Sequence, residues 1–298
     1  LTVFVTQLVM CFLYNQNIVL SFMSFFMMAS LVGIIAYEKK RYDLKPSSLL
    51  TLIITFVFTL IFIFGLGILV LNGQRYIAEI NYYKSLVSWQ AGDKDSAVKN
   101  LLSAASLNPS SDLYFKQLSR VYLLLLQDEL KNVKETPSDD EKNKIKTYFT
   151  NSVNAAKMAT VLSPNSSGSW SNLGYIYQNL SNLASDSMTW ALDSYDKALN
   201  LDPNNPYLLS QEGTINFILA SGLSADKNEE KNQLLNAAKE KLEKAISLNS
   251  NYSNALYTLG LVFDALGQKD KAIEEFTKVQ QLNSQDKTIP KILSNLKS

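Results

Sequence analysis

The feature that most constrains this chain is a short phrase, Ala-x-x-Leu-x-Pro or a close variant, that recurs five times after residue 100. The copies begin at Ala104, Ala159, Ala198, Ala245 and Val279, so the successive spacings are 55, 39, 47 and 34 residues. A phrase that returns in this way is typical of a stacked repeat array, in which each unit buries its apolar face against its neighbours. The sequence therefore predicts about five similar units.

The residues that precede each phrase predict two antiparallel helices per unit. In the third unit the small residues Gly174, Ala191 and Ala198 would let two helices approach closely, while the aromatic residues Tyr177 and Tyr195 fill the remaining space. The proline at the end of the phrase stops the second helix, because proline cannot donate the next backbone hydrogen bond. These patterns predict an all-α fold.

The same residues resemble tetratricopeptide repeats (TPR), whose 34-residue unit has large-x-x-Leu-Gly-x-x-Tyr on its first helix and Ala-x-x-x-Phe-x-x-Ala-x-x-x-x-Pro on its second. Trp170, Leu173, Gly174 and Tyr177 fit the first-helix pattern. The resemblance implies a right-handed α-solenoid of about five helix pairs over residues 72–284. Residues 285–298 then form the terminal capping helix that solenoids require.

Two units exceed the 34-residue length by more than ten residues, and this excess lies in charged sequence. Residues 127–144 are rich in helix formers, and Ser138-x-x-Glu141 is a capping-box signature, so both helices of the second unit are expected to be about ten residues longer than usual. Residues 226–231 indicate a similar, shorter projection. Such projections are either docking sites for a partner or solvated charged insertions on a tolerant surface.

The N-terminal part, residues 1–71, differs sharply from the repeats. Residues 1–37 and 49–71 contain no Asp, Glu, Lys or Arg. A helix of 37 residues would be roughly 55 Å long, against a hydrocarbon core of about 30 Å, so a break is expected at residues 15–17. The sequence predicts two to three transmembrane helices, at about residues 1–14 (truncated), 18–37 and 49–71. Because the chain begins with Leu1 inside an apolar segment, we expect it to be a fragment of a longer protein.

The loop between the last two predicted spans sets the expected orientation. It carries Lys39, Lys40, Arg41 and Lys45, whereas residues 15–17 carry no charge. Loops rich in Lys and Arg stay in the cytoplasm, so the repeats are expected on the other side. We predict an integral protein of a bacterial cell membrane with an extracytoplasmic TPR tail.

The TPR resemblance also implies a concave groove lined by particular positions of each first helix. Exposed aromatic and amide side chains on such a surface suit an extended peptide or a sugar. The alternative is that tyrosines such as Tyr82, Tyr207 and Tyr257 only pack between helices. The clamp that binds chaperone C-termini is not supported, because Arg120 and Tyr207 replace residues that it needs. The candidate groove residues are Tyr82, Trp89, Lys116, Arg120, Leu124, Ser171, Tyr175, Gln178, Asn179, Tyr207, Ser210, Thr214, Asn254, Tyr257 and Asp264.

The composition excludes several kinds of chemistry. The chain has no histidine and a single cysteine, Cys11, so it lacks the commonest general base, every Ser-His or Cys-His arrangement, and any internal disulfide or thiolate zinc site. We therefore expect no catalytic residue, no cofactor and no metal in this chain. With 28 basic and 27 acidic residues, it also lacks the positive charge that nucleic-acid binding requires.

Two functions of different class remain open. The first is a membrane-anchored TPR scaffold that binds a protein or peptide in its groove. The second follows from the order of apolar spans, basic loop, final span and repeats, which is similar to the C-terminal part of O-antigen ligase and polymerase family glycosyltransferases. This resemblance implies a non-catalytic segment of a membrane enzyme, whose partners would include glycans or lipid-linked sugars.

Overall fold

The computed structural model describes residue 26 and residues 29–30, 47–133, 137–285 and 287–297. Every regular element among these residues is a helix, which confirms the predicted all-α solenoid. A 3-10 turn, Ala225–Lys227, precedes the eighth of the α-helices. The α-helices in chain order are α1 Ser48–Gln90, α2 Lys94–Leu107, α3 Asp112–Asn132, α4 Asp139–Leu162, α5 Ser167–Asn179, α6 Ser187–Leu201, α7 Pro206–Gly222, α8 Asn228–Leu248, α9 Ser253–Ala265, α10 Lys269–Leu282 and α11 Thr288–Lys297.

The chain divides into two compact units, residues 1–67 and residues 68–298. In the first, the predicted spans at residues 1–14 and 18–37 fall almost wholly outside the described residues. Among the described residues one helix, α1, is long and apolar enough to cross a membrane. Thr51, Thr55 and Thr59 each donate a hydroxyl hydrogen bond to the backbone carbonyl four residues earlier, so these hydroxyls are satisfied within the helix.

In the second unit, helices pack as consecutive antiparallel pairs because small residues face large ones. A Cβ added to Gly174 of α5 would lie 2.9 Å from the Tyr195 ring of α6, and one added to Gly260 of α9 would lie 2.9 Å from the Phe276 ring of α10. The first residue of each recurring phrase is buried, as the repeat pattern predicts. The interhelical spacing is therefore fixed by glycine and alanine positions that the sequence shows directly.

Side-chain caps and glycine turns set the helix ends. The Ser138 hydroxyl accepts from the Glu141 backbone N–H while the Glu141 carboxylate accepts from the Ser138 backbone N–H, which confirms the predicted capping box of α4. Gly92 and Gly267 have φ of 81° and 73° in the turns after α1 and α9. Their neighbours close Schellman turns, with Asp93 N–H donating to the Ser88 carbonyl at 2.9 Å. The first and last pairs thus turn in the same way.

The insertions lengthen helices. Helices α3 and α4 have 21 and 24 residues, as expected from residues 127–144. The extra residues of the fourth pair lengthen α7 and α8, which have 17 and 21 residues. Lys144 and Glu129 form an ion pair at 3.8 Å between α3 and α4. The extended ends of α3 and α4 are therefore joined to each other rather than separate.

Candidate ligand-binding groove

A cavity of about 400 Å³ opens where the first helices of three consecutive pairs, α3, α5 and α7, meet. Because helices of successive pairs stack side by side in a solenoid, residues far apart in sequence come together on this surface. Five of the six lining residues were candidates from the sequence, and the sixth is the buried Leu123. The cavity is lined by Arg120, Leu123, Leu124, Ser171, Tyr175 and Tyr207.

Arg120 is the charged group of this cavity. Its Nε donates to Oδ1 of Asn172 at 2.8 Å, and the Asn172 Nδ2 donates to the Ser119 hydroxyl at 2.8 Å, so a buried amide fixes the guanidinium between α3 and α5. The guanidinium carbon lies 5.9 Å from the centre of the Tyr175 ring, within range of a cation-π contact. Among the described residues no carboxylate pairs with Arg120 in a salt bridge. Its charge is therefore available to an acidic ligand.

Lys116, one turn earlier on α3, is neutralised within the protein. Its Nζ lies 2.9 Å from Oδ2 of Asp112, and the Ser169 hydroxyl of α5 donates to the same oxygen at 2.9 Å. Burial raises the pKa of Asp112, but the hydrogen bonds from Lys116 and Ser169 outweigh it and hold the pKa below its usual value. The Asp112 carboxylate thus joins α3 to α5 and leaves Arg120 as the available cation of this surface.

A second cavity of about 420 Å³ continues the surface toward the extended end of α3. Here Gln127 Nε2 donates to Oδ1 of Asn179 at 3.4 Å, and the Tyr195 hydroxyl donates to Oε1 of Gln178 at 3.0 Å. Burial and, to a smaller extent, the nearby Tyr207 raise the pKa of Tyr195, so its hydroxyl stays neutral and acts as a donor. Both cavities touch Leu123 and lie side by side, and the two together are called the groove below. The second cavity is lined by Leu123, Leu126, Gln127, Leu130, Lys131, Gln178, Asn179, Ser181, Asn182 and Leu183.

The remaining candidates line neither of these two cavities. Tyr82 of α1 packs against α3 with its ring 5.5 Å from that of Tyr114, and Tyr257 meets the ring of Phe276 edge-on at 5.7 Å, so both fit the packing alternative. The prediction that Ser210 is open to a ligand is wrong, since it is 1 % exposed and lies against Tyr252. The others are Trp89, half-buried in the first pair, Thr214, whose hydroxyl donates to the Ser210 carbonyl, and the exposed Asn254 and Asp264.

Sequence reasoning missed the residues contributed by the extended α3 and by the turn after α5. Leu130 and Lys131 lie on the extended part of α3, which was expected to be a docking site or a solvated insertion but was not assigned to the groove. Ser181 through Leu183 lie in a connection with no repeat signature. The length of the insertion was the sequence signal that could have indicated the contribution of the extended α3. Within residues 47–133, 137–285 and 287–297 there is no group of three or more Asp, Glu, Cys or His side chains that could hold a metal ion.

Glu212 of α7 is a buried acidic residue that lines neither cavity of the groove. Its carboxylate lies 2.6 Å from Lys241 Nζ of α8. Burial raises the pKa of Glu212 despite this partner, whose charge and hydrogen bond lower it. Because the ion pair joins the two helices of one pair, its position indicates a structural role.

The comparison with family models matches residues 253–286 to the tetratricopeptide repeat. Comparison with curated proteins finds no match. Among solved structures, MamA 41-end from Desulfovibrio magneticus RS-1 is 17% identical with a TM-score of 0.50, covering 70% of this chain and 97% of that one. The thermophilic TPR protein TTC0263 of Thermus thermophilus is 16% identical with a TM-score of 0.49, covering 74% and 98%.

YrrB, a TPR protein with an unusual peptide-binding site, is 14% identical with a TM-score of 0.48, covering 72% of this chain and 90% of that one. At these identities the similarity concerns the fold alone. The repeat match at residues 253–286 and the stacked helix pairs show a TPR-like α-solenoid.

Proposed function

We propose that the chain is a membrane-anchored TPR scaffold that binds an extended, acidic segment of a partner protein in the groove formed by α3, α5 and α7. The observation that carries this proposal is the Arg120 guanidinium, fixed by Asn172 beside two exposed tyrosines and without a carboxylate partner among the described residues. A role in protein interactions is supported by the repeat match, because TPR folds are typical of interaction scaffolds.

The groove favours a peptide because it combines three kinds of contact along its length. Arg120 offers a charge-assisted, bidentate hydrogen bond to a carboxylate. Tyr175 and Tyr207 offer ring faces beside it, and the amides of Gln127 and Asn179 lie further along. A segment with an acidic residue followed by apolar and then polar residues would meet all three.

Membrane anchoring is supported by the apolar part of α1. Residues 49–71 are uncharged, and none of the apolar window of this helix is buried by the protein, whereas the core helix of a soluble protein would be mostly covered. The length suits a span of about 30 Å with some tilt. The basic residues at 39–41 and 45 favour a cytoplasmic loop, which would present the groove on the extracytoplasmic side.

We expect Arg120→Gln to weaken binding of acidic peptides about tenfold, because an ionic hydrogen bond becomes a neutral one. Glutamine keeps a donor for Asn172, so the fold should be retained. The measurement is fluorescence anisotropy with the full chain in detergent, using peptides selected from an array of random acidic and neutral sequences. Rising salt should weaken wild-type binding more than binding to the variant.

The matched control is Lys244→Gln, which removes one positive charge from an exposed site on α8 that lines neither cavity of the groove. It should bind as the wild type does. If Arg120→Gln and Lys244→Gln bind selected peptides equally well, the groove is not the binding site. If no acidic peptide is selected over neutral ones, the proposed ligand class is wrong.

A further inference from the structure

Helix α1 has a side that the rest of the solenoid leaves uncovered. Ala78 and Ser85 are buried, and Tyr82 and Trp89 pack against the apolar cluster that α1 forms with α2, α3 and α4, so one face of this part of the helix is used within the protein. The opposite face carries exposed apolar side chains. An exposed apolar surface of this kind marks an interaction site rather than an ordinary solvated face.

The exposed apolar residues follow a heptad. Tyr76, Ile80, Tyr83 and Val87 are separated by four, three and four residues, and they are 69 %, 36 %, 68 % and 48 % exposed. This spacing defines the a and d positions of a coiled coil, with Ile80 and Val87 at a and the tyrosines at d. Branched residues at a favour two-stranded assemblies.

The charged residues beside this heptad determine in which relative orientation two copies of the helix can pair. In this register Glu79 is a g position and Lys84 is the e position five residues later. In a parallel pair of helices the g residue of one chain meets the following e residue of the other, so Glu79 would face Lys84 of the second copy twice by symmetry. In an antiparallel pair, g meets g and e meets e, which would place like charges together. Opposite charges thus meet in the parallel arrangement.

The geometry points to a second copy of this chain as the occupant: we infer that the protein forms a parallel dimer through Tyr76, Ile80, Tyr83 and Val87 of α1. A concavity of about 680 Å³ on this face provides room for the facing side chains. The Glu79 carboxylate of α1 is held in place because it accepts the hydroxyl hydrogen bond of Tyr114 of α3 at 2.6 Å. The concavity is lined by Glu79, Ile80, Tyr83, Lys84, Val87, Ser88 and Asn100.

Cysteine crosslinking of the full chain in detergent tests orientation and register together. In a Cys11→Ser background, Tyr76→Cys and Val87→Cys are made separately and oxidised. Both sites lie on the seam, and two sites this far apart can each meet their own counterpart only in a parallel, in-register pair. We expect disulfide-linked dimers from both, and none above background from Val161→Cys, which is 71 % exposed on α4.

Charge exchange tests the same interface without new cysteines. Lys84→Glu should weaken dimerisation about fivefold or more in sedimentation experiments, because two attractive pairs become repulsive, and adding Glu79→Lys should restore it. A monomer, as expected if lipid or another segment of the protein covers this face, would overturn the inference. Crosslinking at only one of the two sites, or no recovery in the double variant, would overturn it as well.

Discussion

Replacing Phe276 with alanine should lower the local stability of the last helix pair, α9 and α10, by about 3–5 kcal/mol, the usual cost of removing a buried aromatic ring. Phe276 is fully buried on α10 and fills the space left by Gly260 on α9, while its ring meets that of Tyr257. Hydrogen exchange of the full chain, followed by mass spectrometry, should show amides of α9 to α11 exchanging about a hundredfold faster or more.

The loss of stability should decrease with distance along the array, because repeats are stabilised mainly by their nearest neighbours. We expect α3, three pairs away, to exchange at the wild-type rate. Phe276→Leu is the control, since it retains most of the apolar volume and should cost much less than the alanine variant. Equal exchange in the alanine variant and the wild type would show that this ring is not the contact that holds α9 and α10 together.

Replacing Gly213 with alanine should lower the free energy of unfolding by about 1–3 kcal/mol through overpacking. A Cβ at this position on α7 would lie 2.6 Å from Cγ of Leu242 and 3.1 Å from the backbone carbonyl oxygen of Ala238, both on α8. The side chain can shift, but the backbone oxygen can move only with its helix. Exchange in α7 and α8 should therefore accelerate together.

Gly222→Ala is the matched control because Gly222 ends the same helix and has no atom within 4 Å of its added Cβ. There the substitution should be neutral or slightly stabilising, as alanine reduces the freedom of the unfolded chain. If both glycine variants were equally stable, the close approach of α7 and α8 at Gly213 would not be a constraint on the fold.

The solenoid could be predicted because its determinants are local. Alanine, glycine and aromatic residues recur at helical spacing, and Gly174 and Gly260 do pack against the aromatic residues expected of the paired helix. The helix cap at Ser138 could also be predicted from the sequence, since a capping box involves residues only three apart. Sequence patterns that involve residues close together in the chain are sufficient to predict pairs of helices.

The groove was harder to predict because the exposure of each side chain depends on the neighbouring helix pairs. Ser210 occupies a position assigned to the concave surface, yet it is buried where Tyr252 covers it. Lys116 was a candidate cation, but Asp112 on its own helix neutralises it with help from Ser169 of the next pair. The contribution of Leu130 follows from the unusual length of α3, which no repeat pattern specifies.

The central claim, a TPR groove displayed outside the cell by a membrane anchor, is tested most directly by cysteine labelling of intact cells with a membrane-impermeant maleimide. In the Cys11→Ser background, Val161→Cys reports the solenoid and Ser47→Cys reports the loop before α1. We predict that Val161→Cys is labelled in intact cells, whereas Ser47→Cys is labelled only after permeabilisation. Labelling of Ser47→Cys with protection of Val161→Cys would place the repeats in the cytoplasm and contradict the account.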